Sequence, residues 1–186
     1  MALQDAILAA LAIGESSGYD LAKAFDVTVA NFWTATPQQL YRELDKMEAA
    51  GLVEARVIEQ VKRPNKRLFS LTDEGRSALR EFTIRAPKPT AIRDELLVQV
   101  EAMELGDPPS IAVNVQDKLT ASELKLKRYE KARDNMLDGR TEAEYLARES
   151  ALGPYLTLMR GISFERETIN WCEFVLKTLK SRSLAR

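Results

Sequence analysis

The chain contains no histidine and only one cysteine, Cys172, among its 186 residues. The first absence removes the commonest general base and the commonest metal ligand. The second excludes intramolecular disulfides and thiolate zinc sites. Only carboxylate, lysine or serine chemistry then remains, and no such residues form a recognisable catalytic motif, so the chain reads as no enzyme and as needing no cofactor or metal. Cys172 stands among Trp171, Phe174 and Val175, where a buried structural thiol is the better reading than a redox group. Long apolar runs are also missing. The longest, near Ile7 to Ile13, is far too short to span a bilayer. No basic stretch precedes it, which argues against a secretory signal and for a cytoplasmic protein.

An excess of charge of one sign is lacking too. Residues 1–85 carry 11 Lys/Arg against 12 Asp/Glu, and residues 86–186 carry 16 against 16. Nucleic-acid binding therefore has to rest on local clustering rather than on net charge. One such cluster exists: Lys62 to Arg67 holds four cations and no acid.

What is present is a clear order of elements. Leu3, Ile7, Leu8 and Leu11 share one stripe of a helix over residues 2–13. Gly14 to Gly18 breaks it, and a second helix follows from about Gly18 to Val29, with Leu21 and Phe25 at i, i+4 spacing. Phe32 and Trp33 lie in the loop beyond. The third helix is specified at both ends. Thr36 precedes Pro37, and Gln39 stands three residues after Thr36, which makes a capping box with proline at the first helical position. Leu40, Leu44 and Met47 repeat at i, i+4 and i+7 as its buried face, and Gly51 sits where a left-handed C-cap is expected. From Val53 the period changes to alternation, with Val53, Ala55 and Val57 on one face of a strand. Lys62-Arg63-Pro64-Asn65-Lys66 is a turn by composition, Leu68 to Leu71 a return strand, and Thr72-Asp73 the cap of a fourth helix over 73–84.

Arg85 to Thr90, with two prolines, reads as a linker. We expect a domain over 1–85, a linker over 86–91 and an all-helical domain over 92–186. In the latter, one helix spans Ile92 to Leu105 and a long one continues to about Leu137. A last helical region over Thr141 to Lys180 is kinked or split by Pro154. Leu119, Ser122, Leu126, Tyr129, Arg133 and Met136 form a heptad-like seam on the long helix.

Three helices followed by a two-stranded hairpin is the order of a winged helix-turn-helix, so the chain reads as mainly α with a small β-hairpin. In such folds the third helix enters the major groove and the hairpin follows the neighbouring backbone. Gln38, Tyr41, Arg42 and Asp45 share the face opposite Leu40, Leu44 and Met47. Gln38 can pair with adenine and Arg42 with guanine, while Tyr41 can donate to a phosphate. Thr36 and the first-turn N–H groups favour a phosphate at the helix N-terminus. Lys62, Arg63, Lys66 and Arg67 suit backbone contact rather than base reading. Alone, a polar helix face or a basic turn is usually just solvated; together, in this order, they point to duplex DNA. The competing reading is a winged helix that serves as a protein-interaction module without touching DNA, which near-neutral charge would suit.

These segments also resemble the PadR family of bacterial and archaeal transcriptional regulators. The match runs through Gly18-Tyr19-Asp20-Leu21, Phe32-Trp33, Pro37 to Leu44, Met47 to Val53 and Pro64 to Gly75, and so covers about residues 5–80. The helical remainder is similar to the longer PadR subgroup. The resemblance implies that Tyr19 contacts phosphate, that Gln38, Gln39, Tyr41 and Arg42 lie on the recognition helix, and that Lys62 to Arg67 is the wing. The glycine often seen at the wing tip is absent, which implies a stiffer wing. The family further implies a homodimer on a near-palindromic operator, acting mostly as a repressor. Apolar residues on more than one face of the terminal helices support dimerisation independently: Leu152, Tyr155, Met159, Ile162, Ile169, Trp171, Val175 and Leu176. Some relatives answer to hydrophobic or aromatic small-molecule effectors. Trp33, Trp171, Tyr155, Met159 and Phe174 are the candidates for lining such a cavity here, although packing is the commoner fate of such side chains.

Overall fold

The computed structural model describes residues 3–25, 35–59, 65–89 and 93–184. The chain divides into two compact units, Met1–Pro87 and Lys88–Arg186.

The first unit is built from α1 (Leu3–Leu11), β1 (Ser16–Ser17), α2 (Gly18–Ala24), α3 (Pro37–Ala49), β2 (Val53–Ile58), β3 (Lys66–Leu71) and α4 (Asp73–Ile84). Its core is the set that periodicity singles out. Ile7, Leu8 and Leu11 of α1 meet Leu21 of α2 and Phe25 at its C-cap, Leu40, Leu44 and Met47 of α3, and Val53, Phe69 and Leu71 of the hairpin. Several of these side chains are fully enclosed, each contributing about 1.5–3 kcal/mol by burial. The hairpin register pairs Val53 with Leu71 and Ile58 with Lys66. Residues 26–34, which hold the expected end of α2 as well as Phe32 and Trp33, lie outside the described residues.

The sheet has one strand more than the sequence suggests. Ser16 and Ser17 pair antiparallel with Phe69 and Leu68, so the order is β1-β3-β2. A two-residue strand has no period to detect, and a Ser-Ser dipeptide reads as turn. Along β2 the alternation fades outward. Val53 is buried and Ala55 half-buried, but Val57 is exposed, because the outer end of the hairpin runs past the core.

Both ends of the hairpin are tied at one place. Gly51 takes φ +70°, the left-handed C-cap conformation. The Thr72 hydroxyl donates to the Gly51 carbonyl at 2.6 Å, and the Thr72 amide to the Leu52 carbonyl at 3.3 Å. The first turn of α4 then crosses so closely that a Cβ on Gly75 would lie 2.0 Å from the Leu52 carbonyl oxygen.

The second unit comprises α5 (Glu95–Glu101), α6 (Pro108–Leu137), α7 (Glu142–Arg148) and α8 (Gly153–Leu184). The helix expected over Ile92 to Leu105 is shorter. Asp94 caps it, its carboxylate accepting from the Leu96 amide, and it ends at Glu101 in a series of turns. Helices α6 and α8 run antiparallel. Ile111, Val115 and Leu119 pack with Cys172 and Val175 at one end, and Tyr129 packs with Leu158 and Ile162 at the other. The seam from Leu119 to Met136 thus faces α8. Between its ends Lys125 pairs with the buried Glu165 at 2.9 Å. The last helical region is split, not kinked, into α7 and α8, and Pro154 stands at the second position of α8, where its missing N–H costs nothing. Burial raises the Cys172 thiol above its usual pKa, consistent with a structural thiol.

The Tyr145 and Tyr155 rings, 4.8 Å apart, pin α7 to α8, and the Tyr155 hydroxyl donates to Glu142 at 2.8 Å. These contacts bear on the residues expected at a dimer interface. Tyr155, Ile162 and Val175 are closed inside the subunit's own core, and Met159, Ile169, Trp171 and Leu176 are half-buried against the same clusters. Leu152 is half-buried just ahead of α8. Most of that set serves the α6–α8 pairing, because the partner face of α8 is supplied by α6. Large apolar side chains left exposed on the two long helices are others: Leu156, Phe164 and Phe174 on α8, and Val113 and Leu124 on α6.

Two outcomes follow. Gly75→Ala should destabilise the full chain by about 2–3 kcal/mol, because the contact it meets is backbone and cannot swing away; urea unfolding measures this, and an unchanged midpoint would contradict the crossing. Burial, then the Glu142 bond, pushes the Tyr155 phenol up to about 12. An unfolded phenol ionises near ~10, so above that pH the unfolded state loses its proton first. Stability should therefore fall as pH rises from about 10 to about 12. Thermal unfolding across that window should fall more steeply for the wild type than for Tyr155→Phe, whereas parallel curves would contradict the burial.

Candidate nucleic-acid interface

Helix α3 supplies the centre of the candidate surface. Its capping box is complete: the Gln39 amide donates to Thr36 Oγ1 at 3.2 Å, and the Thr36 amide donates to Gln39 Oε1 at 2.9 Å. Pro37 occupies the first turn. With Leu40, Leu44 and Met47 buried, the roll of the helix is fixed, and Gln38, Tyr41, Arg42 and Asp45 are exposed together on the other side. Among the described residues Arg42 makes no ion pair. The Tyr41 ring, 45% exposed, lies against Gly18, where a Cβ would come within 2.2 Å of it. Tyr19, on the first turn of α2, is 70% exposed.

The cations of β3 are placed differently from the free charges expected. Lys66 lies 2.8 Å from Asp20 on the first turn of α2. Asp20 also accepts from the Ser17 hydroxyl at 2.7 Å, and these two bonds, Lys66 first, hold its carboxyl below the usual value. Arg67 bonds to Asp45 at 3.1 Å and to Glu48, both on α3, and its guanidinium lies 4.9 Å from the centre of the Phe69 ring. Lys62 and Arg63 lie outside the described residues.

The site residues thus separate by what they touch. Tyr19, Gln38, Tyr41 and Arg42 are presented outward. Thr36 and Gln39 spend side-chain oxygens on the cap, which leaves the Thr36 hydroxyl proton and the Gln39 side-chain amide nitrogen for a ligand. Lys66 and Arg67 are paired with acids of the same unit. Sequence reasoning placed Asp45 on the outward face without its partner Arg67, and did not single out Asp20 or Glu48 as parts of the site. Asp45 and Glu48 are spaced i, i+3 on one helix edge, which is a visible signal for a cation docking there, but its source on another element is not. Among the described residues no group of acids and Cys172 is arranged to hold a metal ion.

Residues 7–81 match the Transcriptional regulator PadR-like family, and residues 92–180 match the Virulence activator alpha C-term family. Over 98% of its length the chain is 34% identical to all of a probable transcriptional regulator, Rv1176c, of Mycobacterium tuberculosis. The chain belongs to the PadR-like family of transcriptional regulators. Its relatives include the negative transcriptional regulator PadR of Bacillus subtilis, 28% identical over 94% of this chain and 95% of that one. The fold agrees with that regulator's solved structures. PadR in complex with operator DNA aligns with a TM-score of 0.76 at 26% identity, over 95% of this chain and 97% of that chain. PadR in complex with p-coumaric acid aligns with a TM-score of 0.69 at 26% identity, over 96% and 95%. Within this PadR-like chain, the mainly helical first unit with its small antiparallel sheet is the winged helix-turn-helix expected from the order of elements.

Because Thr36 carries half of the capping box, Thr36→Ala should cost about 1 kcal/mol of stability. Chemical denaturation of the full chain checks this; an equal loss from Thr36→Ser, which keeps the hydroxyl, would contradict the cap.

Proposed function

We propose that this regulator is a sequence-specific DNA-binding repressor that acts as a homodimer on a near-palindromic operator. One observation carries the reading. Gln38, Tyr41 and Arg42 stand exposed in a row on a helix whose opposite face is locked in the core. Glutamine and arginine at that spacing match the edges of adenine and guanine in the major groove. The first unit is the DNA-reading domain, Tyr19 and the α3 N-terminus meet phosphates, and the helical unit is the dimerisation domain, on surfaces that include Leu156 and Phe174. The operator complex of the Bacillus subtilis relative, and that relative's description as a negative regulator, support the same reading.

A hydrophobic or aromatic effector belongs to the proposal, supported by the p-coumaric acid complex of that relative. The protein is proposed to work in the cytoplasm and to catalyse no reaction. Among the described residues no helix is long and apolar enough to cross a membrane. Near-neutral charge would suit a protein-interaction module, and in this unit Lys66 and Arg67 are matched by acids, while Arg42 on the outward face of α3 makes no ion pair among the described residues.

Fluorescence anisotropy at about 150 mM salt tests the reading with a duplex from the protein's own upstream region. Specific binding should be at least ~10³-fold tighter than to random duplex. Arg42→Ala should remove about 1–3 kcal/mol of that discrimination while changing random-duplex binding far less. Equal affinity of the wild type for both duplexes would contradict sequence-specific reading.

A further inference from the structure

Resting on the proposed DNA reading, we propose that Arg67 is a positioning residue that masks the acidic edge of α3 and holds the wing beside it, not a phosphate contact. Position alone makes Arg67 look like part of a basic wing. The geometry gives it another task. Asp45 follows Arg42 by three residues and Tyr41 by four, so its carboxylate lies on the row that would face DNA. Glu48 continues the same edge one turn on. Two unpaired carboxylates there would be pressed against duplex phosphates, and like charges brought together across an interface cost several kcal/mol.

Arg67 answers both at once. Its two terminal nitrogens reach Asp45 and Glu48 separately. Its guanidinium carbon also lies over the ring of Phe69, a core side chain of its own strand, at 4.9 Å from the ring centre. A planar fork over an aromatic ring suits two carboxylates better than a flexible ammonium would. Neighbouring strand residues point to opposite faces, and Lys66 accordingly turns to α2, where it meets Asp20. The outer, tip-side end of β3 is therefore tied to both helices of the helix-turn-helix. Where the wing stands relative to α3 is set by these pairs.

The separation from a phosphate contact is a rescue experiment on the full-length protein, using R67Q, D45N/E48Q and the triple variant. Anisotropy titrations with the upstream and random duplexes are run at several salt concentrations. R67Q is expected to weaken upstream binding about tenfold or more through the unmasked carboxylates. Neutralising them in the triple variant is expected to recover most of that loss, to within about threefold of wild type, with the wild-type salt slope. A triple variant as weak as R67Q, with the slope reduced by about one, would make Arg67 a phosphate contact and overturn the proposal. Undiminished binding by R67Q would overturn it too.

A readout without DNA keeps this separate from the functional reading. R67Q and D45N/E48Q should each speed hydrogen exchange at the β2–β3 amides, and unchanged exchange in both would overturn the brace. If the wild type preferred no duplex while exchange responded as expected, the DNA reading would fail and the brace would stand.

Discussion

The burial of Leu40, Leu44 and Met47 against α1 is the constraint on which the rest of the first unit depends. Three side chains at i, i+4 and i+7 leave a helix one roll angle. Once they meet Ile7, Leu8 and Leu11, the positions of Gln38, Tyr41 and Arg42 follow with no further freedom. The cap at Thr36 fixes where the helix starts, and Gly51 fixes where the chain leaves it. The surface that meets a ligand is thus a consequence of the core. This explains how a small unit can present side chains with the precision that base recognition demands.

Electrostatics refines that surface without creating it. The unit is nearly neutral, and several of its ion pairs join elements: Arg56 with Glu15, Lys66 with Asp20, and Arg67 with Asp45 and Glu48. Exposed pairs of this kind add little stability singly. Their value here is directional, because each ties the hairpin to a helix or to the turn before it. Affinity for a polyanion then has to come from the few unpaired groups and from presenting them twice in a dimer.

Much of this was legible in the chain. The α3 boundaries, its buried triad and the Gly51 cap are local signals, and local signals survive folding. The hairpin strands showed in the change of period at Val53. What could not be read depends on partners distant in sequence. Strand β1 exists only because β3 offers an edge to Ser16 and Ser17. Arg67 looked free because its acids lie about twenty residues away on another element. Tyr155, Ile162 and Val175 looked available for a dimer because periodicity shows that a face is apolar but not what covers it; α6 does. The short α5 falls in the same class, since Asp94 caps it later than the apolar pattern begins.

The central claim is that the outward face of α3 enters the major groove. Disulfide trapping tests it most directly, with a single cysteine placed by Gln38→Cys in a Cys172→Ser background. A duplex from the upstream region carries a thiol tether on a major-groove base edge. The account predicts a cross-link that excess untethered upstream duplex suppresses and random duplex does not. Failure to trap, or equal trapping from Asn135→Cys on the exposed side of α6, would contradict it.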